Sequence, residues 1–163
     1  VLGTFAKHNV TGKPLAPELI KSMRRANEFG KGSDARLQMF YAALSLRLHR
    51  EADPSSLDLT QVLKETQAKY GMFGYVEGTH LFANFGHLNG YSAMYYTYMW
   101  SLVIAKDLLT EFKKGGLMDP KTTRKYADTI LRPGGTKDAA DLVKDFLGRP
   151  YNFKAYEAWL NAK

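Results

Sequence analysis

The 163-residue chain contains no cysteine, which excludes disulfide bonds and every thiolate metal site. It also has no run of about 18 apolar residues, so we expect no membrane-spanning helix and no membrane partner. The start, VLGTFAKHNV, has neither an initiator methionine nor the charged and apolar regions of a signal peptide. We therefore expect a cytoplasmic protein, and a chain that is part of a longer polypeptide.

Acidic residues are the minority among the charged ones: 16 Asp and Glu stand against 23 Lys and Arg, giving a formal net charge of +7. Such an excess favours acidic partners, so nucleic-acid binding has to be weighed. The basic residues are dispersed among acidic ones, however, and the densest groups are the pairs Arg24-Arg25 and Lys113-Lys114. Pairs of this kind on helices usually face solvent, and we expect no nucleic-acid partner.

Strand-like alternation of apolar and polar residues is absent, as is any repeat of fixed period. Prolines, glycines and capping residues instead divide the chain into helical segments. We predict a single all-α unit over residues 1–163 with about six or seven helices. The predicted helices cover residues 17–29, 34–50, 59–70, 92–114, 120–131, 137–146 and 153–161.

Several side chains define these segments. Four residues are predicted to cap helix N-termini: Ser33, Asp58, Asp119 and Thr136. The second helix should bury one apolar stripe, formed by Leu37, Phe40, Tyr41, Leu44 and Leu48. The long helix over residues 92–114 has apolar residues on all sides, so we expect it at the centre of the fold.

Residues 71–90 lack helical periodicity and are predicted to form an ordered, aromatic-rich loop. The next segment contains Tyr91, Tyr95 and Tyr98, whose spacing places three phenols on one helical face. Buried hydroxyls need partners, so these tyrosines either satisfy one another in a core or line a wet cleft that binds a ligand. Gly90, directly before them, leaves room for backbone movement and for an approaching substrate. The residues alone leave both interpretations open.

The segment FGHLNGYSAMYYTYMWS resembles the thimet oligopeptidase, neurolysin and oligopeptidase A family of zinc peptidases. The family pattern is His-Leu, a small residue, one or two glycines, then Tyr-x-Ala-x-Tyr-Tyr-x-Tyr-x-Trp, which residues 87–100 match with one glycine-loop residue fewer. MFYAALSLRLH upstream and RPGG and FLGR downstream are also similar to family segments. The resemblance covers essentially the whole chain and implies the C-terminal helical part of a zincin-type oligopeptidase catalytic domain.

The resemblance also implies roles for individual residues. Tyr98 would donate a hydrogen bond to the scissile carbonyl and its developing oxyanion. His87 and Tyr91 would belong to a flexible loop that closes over the bound peptide, with Gly90 as its hinge. Tyr95 would be a further substrate contact. The RPGG and FLGR segments are interpreted as structural, because a Pro-Gly-Gly turn between helices is explained by backbone geometry.

Zinc in this family is held by a His-Glu-x-x-His helix and a downstream glutamate, and this chain contains no His-Glu-x-x-His. The resemblance therefore implies zinc in the full-length parent, with ligands upstream of Val1, and no metal in this chain. A separate metal site at His80 and His87, with Glu77 as the nearby carboxylate, is an alternative.

We accordingly expect the substrate-binding, oxyanion-stabilising part of a zinc metalloendopeptidase that hydrolyses short peptides. Without a source of activated water the isolated chain is expected to be inactive. Its expected partners are short peptides and the N-terminal part of its own chain. The isolated chain is expected either to self-associate through uncovered apolar surface or to be a compact, independently stable subdomain. The alternative is a non-catalytic helical protein-interaction module.

Overall fold

The computed structural model describes residues 1–162, and within them the chain is all-α, which confirms the predicted class. The only strand-like element among these residues is an isolated bridge between Lys7 and Pro14. None of the helices in this part of the chain is long and apolar enough to cross a membrane. The helices are α1 Leu2–Phe5, α2 Pro17–Glu28, α3 Lys31–Arg50, α4 Leu59–Tyr70, α5 Leu81–Asn84, α6 His87–Gly90, α7 Thr97–Gly115, α8 Pro120–Tyr126, α9 Ala139–Leu147 and α10 Lys154–Asn161.

Shorter helical turns lie between these elements. Residues Pro54–Ser56, Met94–Tyr96 and Gly134–Thr136 form 3-10 turns, and a π-helical turn at Ala127–Leu131 directly follows α8. Contacts within the chain define two compact units: residues 1–29 together with the chain from Leu102 onward, and residues 30–101. The prediction of one helical unit over residues 1–163 concerns folding behaviour and stays a prediction.

The unit of residues 30–101 is built around α3 and α4. Its core contains six buried side chains: Phe40, Leu44, Val62, Leu63, Phe85 and Tyr95. Four of them come from the two helices, and Phe85 and Tyr95 come from the aromatic segment, so the helices form the base on which that segment rests. Leu37, which was predicted to join the buried stripe of α3, is instead exposed.

The other unit contains a separate apolar core. Its buried apolar side chains are Val103, Leu142, Val143 and Phe146. The rings of Phe112, Tyr126 and Phe146 pack together, with centroid distances of 5.4 to 5.9 Å. Aromatic packing from α7, α8 and α9 therefore holds this unit together.

Two of the four predicted N-caps are confirmed. Asp58 accepts a hydrogen bond from the Gln61 amide at 3.0 Å, and Asp119 accepts one from the Thr122 amide at 2.8 Å. Ser33 is wrong as a cap because α3 already begins at Lys31.

Thr136 is also wrong as a cap. The Asp138 carboxylate accepts from the Ala140 amide at 2.8 Å, while the Thr136 hydroxyl donates to the Pro133 carbonyl. A carboxylate adjacent to the first turn satisfies the free amides of α9, so this helix begins later than predicted.

The predicted loop and long helix both need correction. The region 71–90 contains α5 and α6, so it is partly helical, and α7 begins only at Thr97. Between them Ser92 has a φ of 47°, which interrupts the helical path before Met94. Within α7 only Val103 and Asp107 are buried, so the prediction of a helix at the centre of the fold is wrong.

Candidate functional site

Four residues predicted from the sequence as site residues pack together in the structure: His87, Tyr91, Tyr95 and Tyr98, called here the tyrosine cluster. The His87 ring lies at its centre, with centroid distances of 5.9 Å to Tyr91, 5.0 Å to Tyr95 and 5.7 Å to Tyr98. All three contacts are edge-to-face, the geometry that aromatic quadrupoles favour. The helical spacing thus predicted a real cluster, although its members lie on α6, on the residues between α6 and α7, and on α7.

The exposed side of the cluster is a stacked pair. The rings of Tyr91 and Tyr98 lie 5.6 Å apart with an interplanar angle of only 16°, and each side chain is 44% exposed. Desolvation and the neighbouring Tyr91 hydroxyl raise the pKa of Tyr98 above its ordinary value. Tyr98 therefore keeps its phenol proton at neutral pH and can donate a hydrogen bond to a ligand at this surface.

The inner side of the cluster is Tyr95, which is only 7% exposed. Its hydroxyl donates to Oε1 of Gln38 at 2.9 Å, and its ring packs edge-on against Tyr41 and Phe85. Burial raises the pKa of Tyr95. The two interpretations left open by the sequence thus apply to different members: Tyr95 lies in the core, whereas Tyr91 and Tyr98 face outward. The predicted substrate contact of Tyr95 stays a prediction, and in this structure its hydroxyl is bound within the protein.

The predicted hinge was Gly90, but the strained backbone conformation near the cluster lies at Ser92. Gly90 ends α6 without a positive φ, and a Cβ added there would meet no atom within 4 Å. Its conformation is therefore accessible to other residues, and its role as a hinge stays a prediction. Ser92, two residues on, has the φ of 47° that side chains disfavour. Its carbonyl accepts a hydrogen bond from the buried Ser45 hydroxyl at 2.5 Å.

Sequence reasoning missed Gln38 and Ser45. Both lie on α3, 57 and 47 positions before the residues to which they bond. Gln38 carries no local motif, and Ser45 was given no role although it lies within the family-like segment MFYAALSLRLH. A glutamine or serine on a helix ordinarily faces solvent. Their roles arise only from long-range packing.

No group of three His, Cys, Asp or Glu side chains that could hold a metal occurs within residues 1–162. Glu77 pairs with Lys64 at 2.7 Å, and the rings of His80 and His87 pack on Phe82 and Phe85. The side chains of His80, His87 and Glu77 are therefore not gathered into a metal-binding group within the described residues.

With this geometry established, comparison with known proteins identifies the class. The family model described as peptidase family M3 matches residues 1–162, and this chain belongs to that family. The resemblance inferred from the sequence is thereby confirmed. The family is one of metallopeptidases.

Individual relatives agree with this assignment. Oligopeptidase A of Escherichia coli strain K12 is 31% identical over 157 residues, which cover 91% of this chain and 22% of the relative. Mitochondrial intermediate peptidase of Homo sapiens is 31% identical over 150 residues, which cover 90% of this chain and 20% of the relative. That of Arabidopsis thaliana is 27% identical over 149 residues, which cover 91% of this chain and 21% of the relative.

The chain spans about a fifth of the length of these relatives. Relatives named for the mitochondrion match alongside a bacterial one, so the cytoplasmic location expected from the sequence stays a prediction.

Proposed function

We propose that this chain is the substrate-binding, oxyanion-stabilising part of a zinc metalloendopeptidase that hydrolyses short peptides. The observation that carries the proposal is the stacked Tyr91–Tyr98 pair, half exposed and backed by the buried Tyr95. It combines a fixed hydroxyl donor with an aromatic surface in a chain of a peptidase family.

The proposed chemistry of Tyr98 is electrostatic. A carbonyl oxygen under attack gains negative charge, and a phenol donor aimed at that oxygen stabilises the transition state more than the ground state. A phenol is already protonated at neutral pH, and the raised pKa of Tyr98 extends that range upward. The packing of His87 and Tyr95 against its ring limits the directions in which the hydroxyl can point.

Tyr91 and His87 would hold the peptide rather than react with it. Tyr91 presents a half-exposed ring beside Tyr98, and such faces bind apolar and peptide groups at low entropic cost. His87 supports both tyrosine rings from one side. The pair would thus orient the scissile carbonyl toward Tyr98.

Zinc is proposed as the cofactor of the full-length protein, with its ligands in a part of the polypeptide outside this chain. Bound zinc supplies the activated water for peptide hydrolysis. Residues 1–162 offer no ligand set for it, so this chain alone would carry the hydroxyl donor without the nucleophile. The isolated chain is accordingly proposed to be inactive.

Exposed apolar side chains favour a covering partner. Phe29 is 88% exposed, and Val10 and Phe73 are also largely exposed. Isolated exposed apolar residues are common, but aromatic ones at this level favour contact with another surface. The N-terminal part of the same polypeptide is the partner we propose. The same exposure favours the second candidate function, a non-catalytic protein-interaction module.

The test uses the complete product of the gene and a quenched fluorogenic peptide. We expect cleavage that a chelator abolishes and added zinc restores. Tyr98→Phe should lower kcat by about a hundredfold with little change in KM, because the donor acts in the transition state. Tyr96→Phe is the matched control, since Tyr96 is adjacent, half exposed and outside the cluster as defined.

Two results would contradict the proposal. One is a Tyr98→Phe enzyme that retains the kcat of the wild type. The other is a complete gene product that folds but cleaves no peptide with zinc present; that result would support the interaction-module alternative.

A further inference from the structure

Helix α3 contacts the tyrosine segment at two points. Gln38 and Ser45 lie about two helical turns apart and therefore share one face of the helix. Gln38 accepts from the Tyr95 hydroxyl at 2.9 Å, and Ser45 donates to the Ser92 carbonyl at 2.5 Å. The bonded partners flank the turn that leads from Tyr91 into α7.

The Ser45 contact holds a strained residue. Ser45 is completely buried, so its hydroxyl has no access to water and depends on this bond. Ser92 has a φ of 47°, a left-handed conformation that residues with a Cβ disfavour. The bond from Ser45 therefore stabilises an orientation of the Ser92 peptide that the residue itself does not favour. That orientation sets the direction of the chain between Tyr91 and Tyr98.

The Gln38 contact holds the inner ring of the cluster. The Tyr95 ring lies edge-on to Tyr98 at 5.1 Å and to His87 at 5.0 Å. A rotation of Tyr95 would move both neighbours, because buried rings leave little free volume around them. The bond to Gln38 fixes the end of the Tyr95 side chain and limits that rotation.

We infer that Gln38 and Ser45 are positioning residues for Tyr98, and that α3 sets the geometry of the oxyanion donor through the Ser92 carbonyl and the Tyr95 hydroxyl. The inference rests on the proposed function of Tyr98. Both residues act through others, Ser45 through the Ser92 carbonyl and Gln38 through the Tyr95 hydroxyl. A small displacement of the donor lowers the rate of the chemical step more than it weakens peptide binding.

The role of Ser45 is tested in the complete gene product by a variant that should lose kcat and a second substitution that should restore it. Ser45→Ala should lower kcat about tenfold with KM nearly unchanged. Adding Ser92→Gly should restore much of that loss, because glycine adopts a positive φ without a hydroxyl to hold it there. Thr66→Val is the matched control: it removes another buried hydroxyl of the same unit, one bonded to Val62 of its own helix.

The Gln38 arm uses near-isosteric changes. Gln38→Met removes the acceptor and should lower kcat, whereas Gln38→Glu keeps an acceptor oxygen and should retain most of the activity. In a Tyr95→Phe background Gln38→Met should have no further effect, since the bond it removes is already absent. A general loss of stability would not produce this dependence. Gln38 is only half buried, so its variants test the inference even where Ser45→Ala fails to fold.

The outcomes separate this inference from the proposed function. If the wild-type product cleaves no peptide, the proposed function fails, and the inference falls with it. If the wild type is active and Tyr98→Phe is impaired while both Ser45→Ala and Gln38→Met retain wild-type kcat, the inference alone is overturned. A kcat loss that Thr66→Val reproduces also overturns it. So does a Ser45→Ala loss that Ser92→Gly does not restore, or a Gln38→Glu variant that loses as much kcat as Gln38→Met.

Discussion

The Arg149 guanidinium donates two hydrogen bonds to the carboxylate of Asp107, from Nη1 to Oδ2 at 2.8 Å and from Nη2 to Oδ1 at 2.7 Å. The backbone amide of Asn152 donates a third hydrogen bond, to Oδ2, at 2.9 Å. Asp107 is buried, whereas Arg149 reaches solvent. Gly148, with a φ of 72°, ends α9 immediately before Arg149. The FLGR segment therefore ends α9 and pairs with α7. The sequence had indicated a structural role for this segment without naming either contact.

The Asp107–Arg149 ion pair predicts a large loss of stability when Arg149 is removed. Arg149→Met leaves the buried Asp107 carboxylate without its main partner, and we expect a loss of about 3 kcal/mol in the free energy of unfolding. Arg132→Met is the control, because Arg132 pairs with Asp128 through a side chain that is itself 71% exposed, and its loss should lower the free energy of unfolding by no more than about 0.5 kcal/mol. Urea unfolding at pH 7 measures both values. Equal costs for the two variants would contradict the assigned role of Asp107.

The same contact predicts a dependence of stability on pH. The hydrogen bonds from Arg149 and the Asn152 amide lower the pKa of Asp107. A lowered folded pKa contributes stability that is present above the unfolded pKa, about 4, and is lost as pH falls through the folded pKa. The wild type should therefore be more stable to unfolding than Asp107→Asn above about pH 4, and this difference in stability should disappear at lower pH.

Thermal melting from neutral to acid pH tests this prediction. A constant difference between wild type and Asp107→Asn across that range would refute it. The pKa of Asp119 is also lowered, by hydrogen bonds from Thr122. The stability of Asp107→Asn should therefore still fall at acid pH, but by less than that of the wild type.

Gly90 and Gly148 provide a matched pair of glycine substitutions. Gly148→Ala places a residue with a Cβ at a backbone φ of 72° and should lower the free energy of unfolding by about 1 kcal/mol. Gly90→Ala meets open space at a residue that ends α6, and should be neutral or stabilise by about 0.5 kcal/mol. If Gly90 is also the hinge of a closing loop, Gly90→Ala should lower peptide turnover in the complete gene product while leaving stability intact. Unchanged turnover would remove the hinge role.

The isolated chain should self-associate and lack peptidase activity. Its exposed aromatic residues, Phe29 and Phe73 among them, favour contact with another copy when no covering surface is present. Light scattering coupled to gel filtration should show a mass that rises with concentration, and Phe29→Ser should reduce it. Zinc-dependent cleavage of a fluorogenic peptide by the pure chain would show that activity does not need residues outside it.

How far the sequence predicts the structure differs from element to element. The caps at Asp58 and Asp119 were predictable because a cap bonds an amide three residues away. Ser33 and Thr136 have the same chemistry, but nearby residues begin those helices instead. The spacing of Tyr91, Tyr95 and Tyr98 predicted their contact. It could not predict that Tyr95 is buried while the other two are half exposed.

By itself, the sequence determined the all-α class, the family and the residues of the tyrosine cluster, because these depend on local periodicity and on a contiguous motif. Only the tertiary structure decided that Ser92 carries the positive φ, that Ser45 and Gln38 hold the segment, and that Asp107 pairs with Arg149. The physical reason is the same in each case. A hydrogen bond between residues 42 to 57 positions apart leaves no periodic signal, and it forms only where the fold brings the two residues together.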